Sequence, residues 1–136
     1  MSEPPIDTIR RVYDSWAQGD FNAGTELFDE ASAFILNPEF PDAGIYIGPD
    51  ELERYMRGFL EPWEQLTVTC LELSAVGDTV VAEVHQSGKG ELSGAVTGFR
   101  YFQLWTFRGG TALRLQNVMS RAEADAAVGA SATRST

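Results

Sequence analysis

The stretch Phe99-Arg100-Tyr101-Phe102-Gln103-Leu104-Trp105-Thr106-Phe107-Arg108-Gly109-Gly110 decides the fold. Side chains of a β-strand alternate between two faces. Phe99, Tyr101, Gln103, Trp105 and Phe107 therefore share one face, and Arg100, Phe102, Leu104 and Thr106 share the other. Gly109-Gly110 has the residues of a tight hairpin turn, and Ala112–Met119 returns as the next strand. Ala95 to Phe107 reads as one long strand with large apolar groups on both faces. If helices cover the first face, Phe102 and Leu104 still require cover on the second. A second copy of the chain is the economical source, so a homodimer through the sheet is expected.

Outward from that strand, the alternating period extends back to Gln65. Leu66, Val68 and Cys70 alternate with Thr67 and Thr69, and Val76-Gly77-Asp78 turns the chain into Thr79–Ser87. Gly88-Lys89-Gly90 to Gly94 reads as a flexible connection. Before Gln65 the period is helical. Leu52, Tyr55, Met56, Phe59 and Leu60 repeat on one face after Gly48-Pro49-Asp50. Ile6, Ile9, Val12, Tyr13 and Trp16 mark an amphipathic helix opened by Pro4-Pro5 and ended by Gly19. Asp20 is placed to cap a second, shorter helix that buries Ala23, Leu27 and Phe28. A short strand, Ser32 to Leu36, leads into the acidic loop Asn37 to Gly44. Arg121 to Val128 reads as a terminal helix. Residues 1–5 are expected to be a flexible N-terminus and 129–136 a disordered tail. The order is α+β: three N-terminal helices packed on a curved antiparallel sheet of four successive strands, enclosing a cavity.

Composition narrows the function classes. The 136 residues fit one domain, and an apolar fraction of 43% is ordinary for a globular protein. Ten basic against twenty acidic residues give a net charge of −10, a field that repels nucleic acid and anionic lipid. No apolar run is long enough to span a membrane. Met1-Ser2-Glu3-Pro4-Pro5 lacks the basic stretch and apolar core of a secretory signal, so a cytoplasmic location is expected. Cys70 is the only cysteine and His85 the only histidine, which argues against a dedicated zinc site. The glycines at 88, 90 and 94 do not open a helix and so form no dinucleotide-binding turn. No cofactor or metal is expected.

Several segments in order resemble a known family. Tyr13-Asp14-Ser15-Trp16-Ala17-Gln18-Gly19-Asp20, leading to Leu27-Phe28-Asp29-Glu30, resembles the opening of the SnoaL-like branch of the nuclear transport factor two superfamily. Gly48-Pro49-Asp50-Glu51-Leu52 is similar to its third-helix entry, and Phe99 to Gly110 to its signature strand and hairpin. The resemblance covers about residues 6 to 128. It implies a cone of helices and curved sheet around a cavity, commonly dimeric through the sheet. The superfamily includes ketosteroid isomerases, polyketide cyclases, epoxide hydrolases, dehydratases and non-catalytic modules, so the fold alone assigns no activity.

The isomerase pattern fits poorly residue by residue. Its helix tyrosine aligns with Val12, beside Tyr13. Its general-base aspartate falls at Asn37-Pro38 and its protonated aspartate at Gln103. An amide is no base near neutral pH, and that chemistry needs tuned carboxyl groups. His85 is the remaining catalytic candidate, on one strand face with Thr79, Glu83 and Ser87, where Glu83 could orient the imidazole. The favoured reading of the same face is a solvated one, because Val80, Ala82 and Val84 form the apolar alternate side. Asn117 shares a face with Leu113, Leu115 and Met119, so its amide is expected to be buried and hydrogen-bonded. Gln103 lies between Tyr101 and Trp105. These amides would orient a small hydrophobic or aromatic molecule, or simply satisfy each other. Tyr13, Trp16, Tyr46 and Tyr55 would line the cavity or serve as ordinary packing. Glu39 and Asp42 are acids of a loop that could close over it. Two readings stay open: a cofactor-free isomerase, cyclase, dehydratase or hydrolase, and a non-catalytic binding or dimerisation module.

Overall fold

The computed structural model describes residues 4–40, 43–60, 66–89 and 96–134. Asp42 and most of the glycine-rich connection after Lys89 lie outside the described residues. The first helix, α1 (Pro5–Ala17), has a proline at its first position and buries Ile9, Val12, Tyr13 and Trp16. Their spacing puts all four on one stripe, the stripe the sequence marks. The helix stops where Gly19 takes a φ of 92°, a left-handed conformation suited to a residue without Cβ.

The second helix expected after Asp20 does not form. The chain instead makes turns and a single 3₁₀ turn, Thr25–Leu27. Two local features accompany the break. Gly24 holds a φ of 98°, left-handed where a helix would need a right-handed residue, and a Cβ built there would lie 3.2 Å from Val12. The Ala23 carbonyl is also engaged by the Trp16 indole N–H at 2.9 Å.

Strands β1 (Ala33–Leu36) and β2 (Gly44–Ile47) follow, then α2 (Gly48–Leu60), β3 (Thr67–Val76), β4 (Thr79–Lys89), β5 (Val96–Arg108), β6 (Thr111–Val118) and α3 (Arg121–Arg134). The three helices are thus spread along the chain, not gathered at its N-terminus. The six strands form one sheet in the order β2-β1-β6-β5-β4-β3. Four of its neighbouring pairs are antiparallel, but β1 runs parallel to β6, with Phe34 opposite Leu115 and Leu36 opposite Asn117. That pair joins segments about eighty residues apart, as does the buried Ser32 hydroxyl that donates to the Ala112 carbonyl at 2.6 Å. Local alternation cannot reveal such a pairing.

The two faces of β5 divide as the sequence requires. Tyr101, Trp105 and Phe107 belong to the main core under α1, together with Val80, Ala82 and Val84 of β4. Phe102 and Leu104 form a second cluster with Val81, Val118 and Ala124. Their cover comes from within the chain: Ala124, Ala127 and Val128 of α3 lie on them, and the Arg121 guanidinium sits 4.7 Å above the Phe102 ring. The requirement that suggested a partner subunit is therefore met by α3, which also continues past Val128 to Arg134. The helix is pinned at its start. Ser120 caps it, with the Glu123 N–H donating to the Ser120 hydroxyl and that hydroxyl to the Glu123 carboxylate, both at 3.1 Å. Among the described residues no helix is long and apolar enough to cross a membrane.

Candidate functional site

Between the helices and the inner face of the sheet lies a pocket of about 260 Å³. Trp16 of α1 and Phe21 close one end. Phe34 and Leu36 of β1 and Phe40 form a side wall, and Tyr55, Met56 and Phe59 of α2 form the roof. The floor is Val68 of β3, Gln86 of β4, Phe99, Tyr101 and Gln103 of β5, and Asn117 of β6. The helical period of α2 puts its aromatic stripe over the pocket instead of into a close-packed core. Tyr55 packs its ring against Phe34 at 5.2 Å and against Tyr46 at 4.9 Å.

One hydrogen-bond chain runs beneath this floor. The Trp105 indole N–H donates to the Tyr13 hydroxyl at 2.9 Å. Tyr13 donates to Gln103 Oε1 at 2.6 Å, and Gln103 Nε2 donates to Asn117 Oδ1 at 3.1 Å. Its members come from α1, β5 and β6. A second, shorter link runs from the Tyr101 hydroxyl to Gln86 Oε1 at 3.0 Å. Burial pushes the Tyr13 phenol well above its ordinary value, against the opposing effect of the Trp105 hydrogen bond. Burial, with a smaller contribution from Tyr55, also raises Tyr101. Both phenols stay neutral far beyond physiological pH. The only titratable side chains among the described lining residues are the tyrosines Tyr55 and Tyr101.

The sequence-derived candidates separate into four groups. Trp16, Tyr55, Tyr101, Gln103 and Asn117 line the pocket. Tyr13 and Trp105 lie just beneath it and fix its polar floor. Tyr46 stands behind Tyr55 at the mouth of a shallower depression with Glu51 and Arg54. Asn37 and His85 are elsewhere. Asn37 donates to the Glu123 carboxylate at 2.8 Å and accepts from Gln116 Nε2 at 3.2 Å, so its amide anchors α3 on the outer side of the sheet. The outward register of Gln116 takes it there.

His85 is on the outer face of β4, where a Cβ on Gly98 would come within 3.2 Å of its Nε2. Glu83, on the same face, pairs with Arg121 at 3.6 Å and Arg100 at 3.9 Å. The imidazole therefore does not reach the pocket, although the face it occupies is not simply solvated, because Thr79 and Val81 on it are buried. Glu39 is not among the lining residues.

Sequence reasoning missed Gln86 as a lining residue. Its signal was present: it continues the inward register of Val80, Ala82 and Val84 and is a buried polar side chain. Phe34, Leu36 and Phe40 carried no comparable signal, because their position depends on the parallel β1–β6 pairing. Among the described residues no group of histidine, cysteine, aspartate and glutamate side chains could hold a metal ion.

The SnoaL-like domain family matches residues 9–115, and the chain belongs to it. No curated protein matches the sequence. Solved structures agree with the fold. An NTF2-like protein from Burkholderia thailandensis is 23% identical over 93% of this chain and 98% of its own, with a TM-score of 0.79. TerC, co-crystallised with polyporic acid, is 15% identical over 93% of this chain and 99% of its own, with a TM-score of 0.72. A protein from Catenulispora acidiphila with a ketosteroid isomerase-like fold, in complex with trimethylamine, is 18% identical over 94% and 95%, with a TM-score of 0.71.

Proposed function

We propose that this chain binds a small, largely apolar molecule in the pocket under α2 and does so without acid–base catalysis by the described side chains that line it. The observation that carries the reading is the chemistry of the described lining: aromatic and aliphatic walls, three amides, and tyrosines as the only titratable groups. An isomerase, cyclase or dehydratase of this fold needs a group that exchanges a proton near neutral pH. Burial opposes ionisation of Tyr101 and of Tyr13 beneath it, and Asn37 and His85 are on the other side of the sheet. Apolar walls with a few placed polar groups are the ordinary make-up of a small-molecule site. Two structural relatives crystallised with small organic molecules are consistent with such a use of the fold.

Trp16 lines the pocket, so its fluorescence is the natural reporter. Titration of the protein with planar one- to three-ring aromatics is expected to quench part of the emission and raise the melting temperature. Trp16→Phe should lose that quenching and keep the thermal shift. A library that moves neither signal refutes binding here.

A further inference from the structure

The direction of the hydrogen bonds in the pocket floor determines which ligands it can hold, given the binding reading above. An indole N–H can only donate. Trp105 therefore makes the Tyr13 oxygen an acceptor, and the Tyr13 proton must go onward to Gln103 at 2.6 Å. Gln103 then presents Oε1 to Tyr13 and Nε2 to Asn117. Asn117 in turn must present Oδ1 to Gln103, which leaves Nδ2. Reversing both amides would leave the buried Tyr13 proton with no acceptor, a cost on the order of a lost hydrogen bond or more. A single donor-only residue at one end thus orients every group as far as the pocket wall.

Among the described residues nothing accepts from Asn117 Nδ2, nor from Gln86 Nε2, whose oxygen is taken by Tyr101. Yet no fully buried side-chain nitrogen or oxygen among them is without a partner. Both amide nitrogens must therefore open on reachable space, and the space both residues line is the pocket. The floor of an otherwise apolar cavity consequently offers N–H groups that want an acceptor. We propose that the pocket selects aromatic molecules bearing a carbonyl-type oxygen, with Asn117 Nδ2 as the donor that holds that oxygen. A hydrocarbon of the same shape would fill the walls and leave the amide desolvated and unpaired, which is the basis of strong discrimination.

The test compares 9-fluorenone with fluorene, which share shape and differ in the carbonyl, by calorimetric titration of the full chain. Fluorenone is expected to bind at least about tenfold more tightly, the value of one good hydrogen bond. Asn117→Leu should erase that preference while fluorene still binds. A second readout needs no variant: the infrared carbonyl band of bound fluorenone should shift to lower frequency than in an apolar solvent. Equal affinities with an unshifted band overturn the donor assignment and leave the binding reading intact. Failure of both compounds to bind overturns the two together.

Discussion

The hydroxyl of Tyr13, on the first helix, lies 2.6 Å from Oε1 of Gln103, in the middle of the longest strand. This contact joins helix to sheet and also sets the polarity of the pocket floor. Tyr13 accepts a hydrogen bond from Trp105 and donates one to Gln103, so both of its hydrogen-bonding roles are filled in a site closed to bulk water.

Replacing Tyr13 by phenylalanine should therefore cost far more than one oxygen atom suggests. The indole N–H of Trp105 and Oε1 of Gln103 would each be left buried without a partner, a loss of about 2–4 kcal/mol. Urea unfolding followed by far-ultraviolet circular dichroism measures it. The freed Gln103 amide should also turn, reducing the preference for carbonyl ligands. An unchanged unfolding midpoint would refute the role given to this hydroxyl.

Stability should fall at alkaline pH, and the sign follows from the two phenols. Tyr13 and Tyr101 keep their protons to higher pH in the folded chain than an ordinary tyrosine does, because burial disfavours the phenolate. Below about pH 10 both states are protonated and nothing is lost. Above it the unfolded chain releases protons that the folded chain retains, so unfolding gains free energy with each further step in pH. The urea midpoint at pH 11 should lie below that at pH 8. Tyr101→Phe should flatten the slope. A midpoint independent of pH over this interval would contradict the burial of these groups.

The outer cluster makes a separate prediction about α3. Ending the chain after Ser120 would uncover Val81, Phe102, Leu104 and Val118. The truncated protein should bind more of the dye ANS than the full chain does. Ser120→Ala is a gentler form of the same test. It removes the cap and should cost about 1 kcal/mol. Dye binding that does not change on truncation would mean that α3 is not the cover.

His85→Ala should leave ligand affinity unchanged, since the imidazole lies across the sheet from the pocket. Gln86→Leu, one residue further along the same strand but on the inner face, should change it. A loss of binding in the histidine variant would show that the outer face takes part in the site. The comparison isolates the face, because the two positions are adjacent in sequence.

Much of the pocket is legible in the sequence alone. The period of α1 set Tyr13 and Trp16 on the buried stripe, and the alternation of β5 and β6 turned Gln103 and Asn117 inward among aromatics. Both periods follow from the local geometry of helix and strand, so a local reading recovers them. The absence of the isomerase carboxylates at Asn37 and Gln103 was equally plain from residue identity. The second helix failed as an expectation because Asp20 and Leu27 suggested a cap and a stripe, while Gly24 was needed for a left-handed turn against Val12.

The sequence by itself determined the two apolar faces of β5, the inward amides and the lack of a histidine or carboxylate at the positions where this fold usually does proton chemistry. Only the tertiary structure decided what covers Phe102 and Leu104, where Asn37 and His85 point, and which atom of Asn117 remains for a ligand. The physical reason is range. Periodicity records which side of its own element a residue occupies. The parallel β1–β6 pair, the seat of α3 and the hydrogen-bond chain from Trp105 to Asn117 each depend on residues distant in sequence, whose meeting is settled by packing of the whole chain.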